Sequence, residues 1–322
     1  MRRFSICCRL FEVIRCSHNL LLLPDLASSL RIDIVMRRFI FLCCSAFFIA
    51  SMGVSAQSLS SDVEYARVDG LSLKLDLHLP SRERPPLLVY VHGGAWRAGS
   101  RVDVPVAELL NYGFAIASVD YRLSTEARFP AQAHDIKAAI RFLRAKADLF
   151  HYDANRIGIV GSSAGGHLAA LVGLSNGQAE LEGKVGDHLD QSSDVQAVVS
   201  LYGASNLQSI LGQSTEFGLR MRVPALELLL GARPEAVPDL AKLASPIAHL
   251  DKKDPPLLLI HGDADPQMPP AQSTELASAC EPLGLDVKLV VIPGAKHGGP
   301  VFYDEERTTL VAAFFKRALG VR

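Results

Sequence analysis

The sequence predicts an α/β fold: a mostly parallel central sheet, opened by an antiparallel hairpin and covered by helices on both faces. Three observations lead to this expectation. A period-two segment stands near the start of the globular part. Continuous apolar runs of strand length follow it. Helical patterns then alternate with those runs to the end of the chain.

Taken in order, Asp69-Gly70 is a hairpin turn signal between residues 63–68 and the next strand. In that strand Leu71, Leu73, Leu75, Leu77 and Leu79 alternate with Ser72, Lys74, Asp76 and His78, so one face is buried. Residues 87–91 and 114–119 are unbroken apolar runs, as strands covered on both faces require. Ala107–Tyr112 between them is expected to be helical. Residues 130–149 form a long helix with Ala133, Ile136, Ala139, Ile140 and Leu143 on one face. Residues 156–160 predict a strand and 167–174 a helix. Further strands are expected at 195–201, 257–260 and Val287–Ile292, and helices at 271–283 and 305–319. Residues 204–244 carry amphipathic pieces but no strong strand. They predict a helical cap over the C-terminal edge of the sheet, where α/β sheets bind ligands.

The 322 residues are 49% hydrophobic and 21% charged, with a net charge of −1. That balance fits one large globular domain and gives no sign of a nucleic-acid partner. The N-terminus differs. Met36-Arg37-Arg38 precedes an apolar run from Phe39 to Val54, which ends in Val54-Ser55-Ala56 before Gln57. A basic start, an apolar middle and a small-x-small end make a signal peptide over residues 36–56, cleaved on export to the periplasm or beyond the cell. No membrane segment is expected to remain after cleavage. Both Met1 and Met36 open a "MRRF" sequence. The simplest reading starts translation at Met36 and makes residues 1–35 a start-site artefact, the rival being a long leader. Of six cysteines only Cys280 lies beyond residue 56, so the exported domain, 57–322, is expected to hold together without a disulfide.

The chemistry concentrates in "IGIVGSSAGGHLAAL", residues 157–171. A strand, a tight turn carrying G-x-S-x-G and a helix make a nucleophile elbow, which holds the central residue strained and clear of the sheet. Only Ser163 has glycine two residues away on both sides, at Gly161 and Gly165; Ser162 has Val160 and Ala164. Ser163 is therefore the candidate nucleophile. A serine needs a base, and the base an orienting acid, in the chain order Ser, acid, His. His297 in "PGAKHGG" is the candidate base. The acid lies in "LLLIHGDADPQMP", where Asp263 and Asp265 compete and spacing alone does not separate them. His167 and His261 read as structural. The "VHGGAWRAG" loop after the first buried strand can offer main-chain N–H groups to an oxyanion, together with that of Ala164 after the nucleophile. Gly94 and Ala95 are expected to donate, with Gly93 making the turn. Trp96 packs beside this loop or, less simply, reaches into the substrate pocket. No H-E-x-x-H, C-x-x-C or G-x-G-x-x-G pattern is present, and the expectation is chemistry without metal or cofactor.

Together "HGGAW", "VDYRL", "FPAQAHDIKAAIRFLRA", "RIGIVGSSAGGHLAAL", "SPIAHL", "PPLLLIHGDADPQMPPAQS" and "PGAKHG" resemble the α/β-hydrolase esterases related to hormone-sensitive lipase, nearest the bifunctional feruloyl and acetyl xylan esterase group. The resemblance covers about residues 62–320. It implies an α/β-hydrolase fold and a triad at Ser163, Asp265 and His297. It places an oxyanion hole at Gly93, Gly94 and Ala95 with Ala164. It also implies a serine carboxylesterase acting on short-chain or aromatic acyl esters of plant polysaccharide or on small ester substrates. Ala95 stands where such proteins often have a third glycine, and Met268 where valine is common. Two other readings are an amide hydrolase, like the arylformamidases that share HGGxW or like an exopeptidase, and a non-catalytic binding module. Export disfavours the arylformamidase reading, a missing propeller domain the peptidase, and the complete triad the binding module.

Overall fold

The structure, a computed structural model, describes residues 57–321. The signal peptide, the start-site reading and the five cysteines before residue 57 lie outside the described residues. The opening hairpin is β1 (Ser58–Val68) and β2 (Leu71–Leu79), antiparallel about Asp69-Gly70. Then follow β3 (Pro86–Val91), β4 (Ala115–Val119), β5 (Asp153–Ser162), β6 (Ala197–Leu201), β7 (Leu257–Gly262) and β8 (Val287–Ile292). All eight join one sheet in the order β1-β2-β4-β3-β5-β6-β7-β8. Strands β3 to β8 pair in parallel, and β2 runs antiparallel to β4. The helices are α1 (Ala131–Phe150), α2 (Ala164–Leu174), α3 (Ala179–Glu182), α4 (Ile210–Gln213), α5 (Glu216–Leu230), α6 (Pro238–Leu243), α7 (Ala271–Cys280) and α8 (Glu305–Ala318). This is the α/β-hydrolase architecture that the motifs imply.

The apolar runs behave as strands covered on both sides. Leu87, Val89 and Val91 enter a core shared with Ile136 of α1, Leu168 of α2 and Leu276 of α7. The alternate residues Leu88 and Tyr90 enter a second core with Val311, Phe314 and Phe315 of α8. In the hairpin the alternation holds at its centre, where Leu73, Leu75 and Leu77 are buried, and lapses at Leu71, which is exposed. Ala107–Tyr112 is a 3-10 helix rather than an α-helix, stopped after six residues by Gly113 in the left-handed region (φ 87°).

Strand β3 has β4 on one side and β5 on the other, so the chain order reverses there. Loops leaving the C-terminal ends of β3 and β5 diverge at such a point and open a crevice. The 204–244 segment contributes α4, α5 and α6 and no strand, as expected of a cap. Its main helix, α5, starts at Thr215, whose side chain accepts from the Gly218 N–H, and stops at Gly231 (φ 87°).

Trp96 corrects the pocket expectation. Its side chain is fully buried, and its Nε1 donates to Nδ1 of His167 at 3.1 Å. The backbone at Ala95 and Trp96 turns left-handed (φ 52° and 61°), which swings the indole into the core instead of the crevice. Nε2 of His167 donates to the Ala244 carbonyl at 2.7 Å. The pair thereby ties the loop after β3, helix α2 and the end of the cap together. With Nδ1 accepting and Nε2 donating, His167 is neutral. Burial, only partly offset by the Ala244 hydrogen bond, pushes it down to about 4 from its ordinary 6.5.

Two outcomes follow from this packing. Leu77→Ala empties a fully buried site and should lower unfolding free energy by about 2–5 kcal/mol, read from urea denaturation midpoints. Between pH 6.5 and about 4 the unfolded chain takes up a proton at residue 167 that the folded chain refuses. Stability should therefore fall as pH drops through that window, by up to about 3 kcal/mol from this residue. His167→Gln, whose amide can keep both hydrogen bonds, should show a smaller loss between pH 7 and pH 4 in the same titration.

Candidate functional site

Main-chain crowding builds the site. A Cβ at Gly161 would lie 2.1 Å from the Gly165 carbonyl oxygen, and one at Gly165 would lie 2.0 Å from that of Val91. No side chain fits at either position, so strand β5, helix α2 and the end of β3 close on one another. Ser163 between them takes φ 55° and ψ −117°, a left-handed conformation that costs a residue with a Cβ about 1–3 kcal/mol. It is held there by its own N–H donating to the Leu201 carbonyl (2.8 Å) and by its carbonyl accepting from the His167 N–H (2.9 Å). The result projects the hydroxyl above the sheet at the N-terminus of an 11-residue helix.

Ser163 Oγ lies 2.8 Å from His297 Nε2, and His297 Nδ1 lies 2.6 Å from Asp265 Oδ2. The carboxylate can only accept, so Nδ1 carries the ring proton and Nε2 is free to accept from the serine. Such a line can take the proton from a hydroxyl as the oxygen attacks. The structure also separates the two aspartates. Asp263 is exposed and accepts from the Gly294 N–H at 2.6 Å, while Asp265 is buried and faces His297. Oδ1 of Asp265 accepts from the Gln267 and Met268 N–H groups at 2.8 and 2.9 Å. Burial pushes its carboxyl up, but hydrogen bonds from His261 and His297 outweigh that and hold it well below the ordinary carboxylate range.

Residue His261 goes beyond its structural reading. Its Nε2 faces the Met268 carbonyl at 3.1 Å and Asp265 Oδ2 at 3.3 Å, while Nδ1 meets the Ser273 hydroxyl at 2.7 Å. It braces the carboxylate from behind. Tyr202, which the sequence also left unmarked, sets its ring edge-on to His297 with centroids 5.0 Å apart. Nothing in the local sequence flagged it, because the contact depends on a left-handed turn just after β6 (φ 42°).

The loop after β3 lies against the elbow. A Cβ at Gly93 would sit 2.9 Å from the Ser162 carbonyl oxygen and 3.5 Å from Ser163 Cβ. The turn itself comes later than expected. Gly94 (φ 105°), Ala95 and Trp96 are the left-handed residues, and the Gly94 carbonyl accepts from the Arg97 and Ala98 N–H groups. Gly93 instead permits the close approach. Among the described residues the N–H groups of Gly94, Ala95 and Ala164 have no acceptor. Arg101 fixes the far end of the loop. Its main chain donates to Asp120 at 2.8 Å, and its guanidinium binds Asp120 and Asp76. Around these groups opens a cavity of about 640 Å³, lined by Gly93, Gly94, Ser163, Tyr202, Arg222 and His297 among others. Among the described residues no cluster of His, Cys, Asp and Glu could hold a metal ion.

Comparisons with known proteins agree with this architecture. The chain is 34% identical over 218 residues to "Esterase LipC" of Mycobacterium tuberculosis, covering 66% of this chain and 53% of that protein. It is similar in structure to a truncated carbohydrate esterase from gut microbiota, with a TM-score of 0.74, 32% identity and coverage of 83% and 98%. It is also similar to an acetyl ester-xyloside bifunctional hydrolase of Caldicellulosiruptor lactoaceticus, with a TM-score of 0.67, 25% identity and coverage of 84% and 99%. The chain spans about half the length of the curated relatives it matches. Family assignment rests on the BD-FAE model, which matches residues 75–280 and so takes in β3, the elbow, the cap and the acid loop. By that match and by its fold, the chain belongs to the BD-FAE family.

Proposed function

We propose that this protein is an exported serine carboxylesterase with Ser163 as nucleophile, His297 as general base and Asp265 as the acid that orients it. The single observation that carries the reading is the hydrogen-bonded line from Ser163 Oγ through His297 to Asp265. As Oγ attacks an ester carbonyl, its proton passes to Nε2 of His297. The carbonyl oxygen becomes an oxyanion and rests on the N–H groups of Ala164, Gly94 and Ala95, each such donor contributing roughly 3–4 kcal/mol to the transition state. His297 returns the proton to the departing alcohol. It then draws a proton from water, which hydrolyses the acyl-enzyme and frees Ser163. Asp265 stays ionised throughout and holds the ring in the tautomer that leaves Nε2 free.

Short-chain or aromatic acyl esters of plant polysaccharide are the substrates we assign. Two features support this: the open cavity above Ser163, and the likeness to a carbohydrate esterase and to an acetyl ester-xyloside hydrolase. Export follows from the signal-peptide pattern at residues 36–56. Among the described residues no helix is long and apolar enough to cross a membrane.

The decisive assay is hydrolysis of p-nitrophenyl acetate. Wild type should turn it over and Ser163→Ala should fall to the background rate; an inert wild type would instead favour a binding module. Asp265→Asn should lower kcat by roughly 10⁴-fold with the fold intact, because the ring loses its orienting charge. Asp263→Asn should retain most of the wild-type rate, and equal losses in the two variants would refute the assignment of Asp265. With acetyl-xylan, methyl ferulate and N-formylkynurenine as a panel, release of acetate and ferulate should exceed deformylation. Intact mass of the protein recovered from the producing cell should begin after Ala56.

A further inference from the structure

Among the described residues, one buried cation at the cavity has no counter-ion. Arg222 on α5 is only 4% exposed, yet it lines the same cavity as Ser163 and His297. Its guanidinium donates once, from Nη2 to the Gln267 carbonyl at 2.7 Å. Nε is buried without a partner, and Nη1 makes no hydrogen bond among the described residues. The other buried cations differ. Lys137 and Arg141, the other buried Lys and Arg side chains among the described residues, share Glu182. The carboxylate whose field reaches Arg222, that of Asp265, already accepts from His297, Gln267 and Met268. Burial pushes Arg222 down to about 10, so it remains charged at neutral pH.

A buried charge without a counter-ion is strongly unfavourable, because the desolvation it suffers is not repaid. A guanidinium is also the side chain best matched to a carboxylate. We infer that Arg222 forms an anion subsite and that the ester this protein cleaves carries a carboxylate. The inference rests on the esterase reading and narrows its substrate class. Met221, 39% exposed and lining the same cavity, adds apolar surface suited to the carbon chain between carboxylate and ester. Asp103 and Arg97 also line the cavity. Among the described residues Asp103 makes no ion pair with Arg222, and Arg97 is a second cation on the wall; Nη1 is the donor that Arg222 has left for the carboxylate of the ligand.

Paired esters test this and show which side carries the charge. Mono-p-nitrophenyl glutarate against p-nitrophenyl valerate places the carboxylate on the acyl side. Para-acetoxybenzoate against phenyl acetate places it on the alcohol side. In wild type one anionic member should be preferred in kcat/KM over its neutral partner by about tenfold or more. Arg222→Gln should remove that preference chiefly through KM, and Arg222→Lys should restore part of it. Equal losses on charged and neutral esters would make Arg222 a strut for the Gln267 loop and overturn the subsite. So would a wild type that hydrolyses neutral esters at least as well as both anionic ones, while leaving the esterase reading intact. A binding measurement separates the two ideas. Glutarate should bind Ser163→Ala in calorimetry and lose that binding when Arg222→Gln is added. Glutarate binding by a protein that hydrolyses no ester would uphold the subsite and sink the esterase reading; no glutarate binding would sink the subsite.

Discussion

A methyl group at residue 165 would overlap the carbonyl oxygen of Val91, at 2.0 Å, and that of His92, at 2.5 Å. This contact between the first turn of α2 and the end of β3 is the constraint on which the site depends. It brings two chain segments of the switch point into touch, so a hydroxyl on one and free amides on the other share a small volume. It also forces Ser163 into a left-handed backbone that no local preference of serine would choose. The strain is balanced by main-chain hydrogen bonds at both ends of the residue and by the fully buried apolar side of α2. Small residues at 161, 165 and 166 are therefore a steric requirement of the two layers as much as of the chemistry.

A second set of contacts positions the acid. The loop from Asp265 to Met268 curls back so that its own amides donate to Oδ1, leaving Oδ2 for the imidazole. His261 supports it from the strand below, and α5 grips it from above through Thr215 and Arg222. The cap is thus fastened to the carboxylate's loop as well as covering the crevice. A ligand that touches α5 is in mechanical contact with the group that orients His297.

Much of this was legible before any coordinates. The unbroken run at residues 87–91 betrays a strand with two covered faces because each residue, odd or even, has a core to enter. The elbow could be located at Ser163 because its flanking glycines answer a crowding that spacing alone expresses. Legibility stopped where direction, rather than position, decides. Asp263 and Asp265 share one loop, and only its curl sends one toward Gly294 and the other toward His297. Trp96 adjoins the glycine loop in sequence, but successive left-handed residues turn its indole inward. Tyr202 and Arg222 were invisible for a similar reason. One depends on a positive φ after β6, the other on how an amphipathic helix is rolled against a neighbouring loop.

Helix α5 holds the acid loop by donating to the carbonyl oxygens of Pro266 and Gln267, not to their side chains. Every amino acid presents that carbonyl. The grip is blind to the side chain at 267, which lines the cavity, so any substitution there except proline, which would remove the N–H given to Asp265, can recolour the crevice wall without loosening the carboxylate behind it. Divergence in what is recognised is in this way uncoupled from the apparatus that reacts. A single scaffold can then change its crevice wall and leave the line from Ser163 to Asp265 untouched.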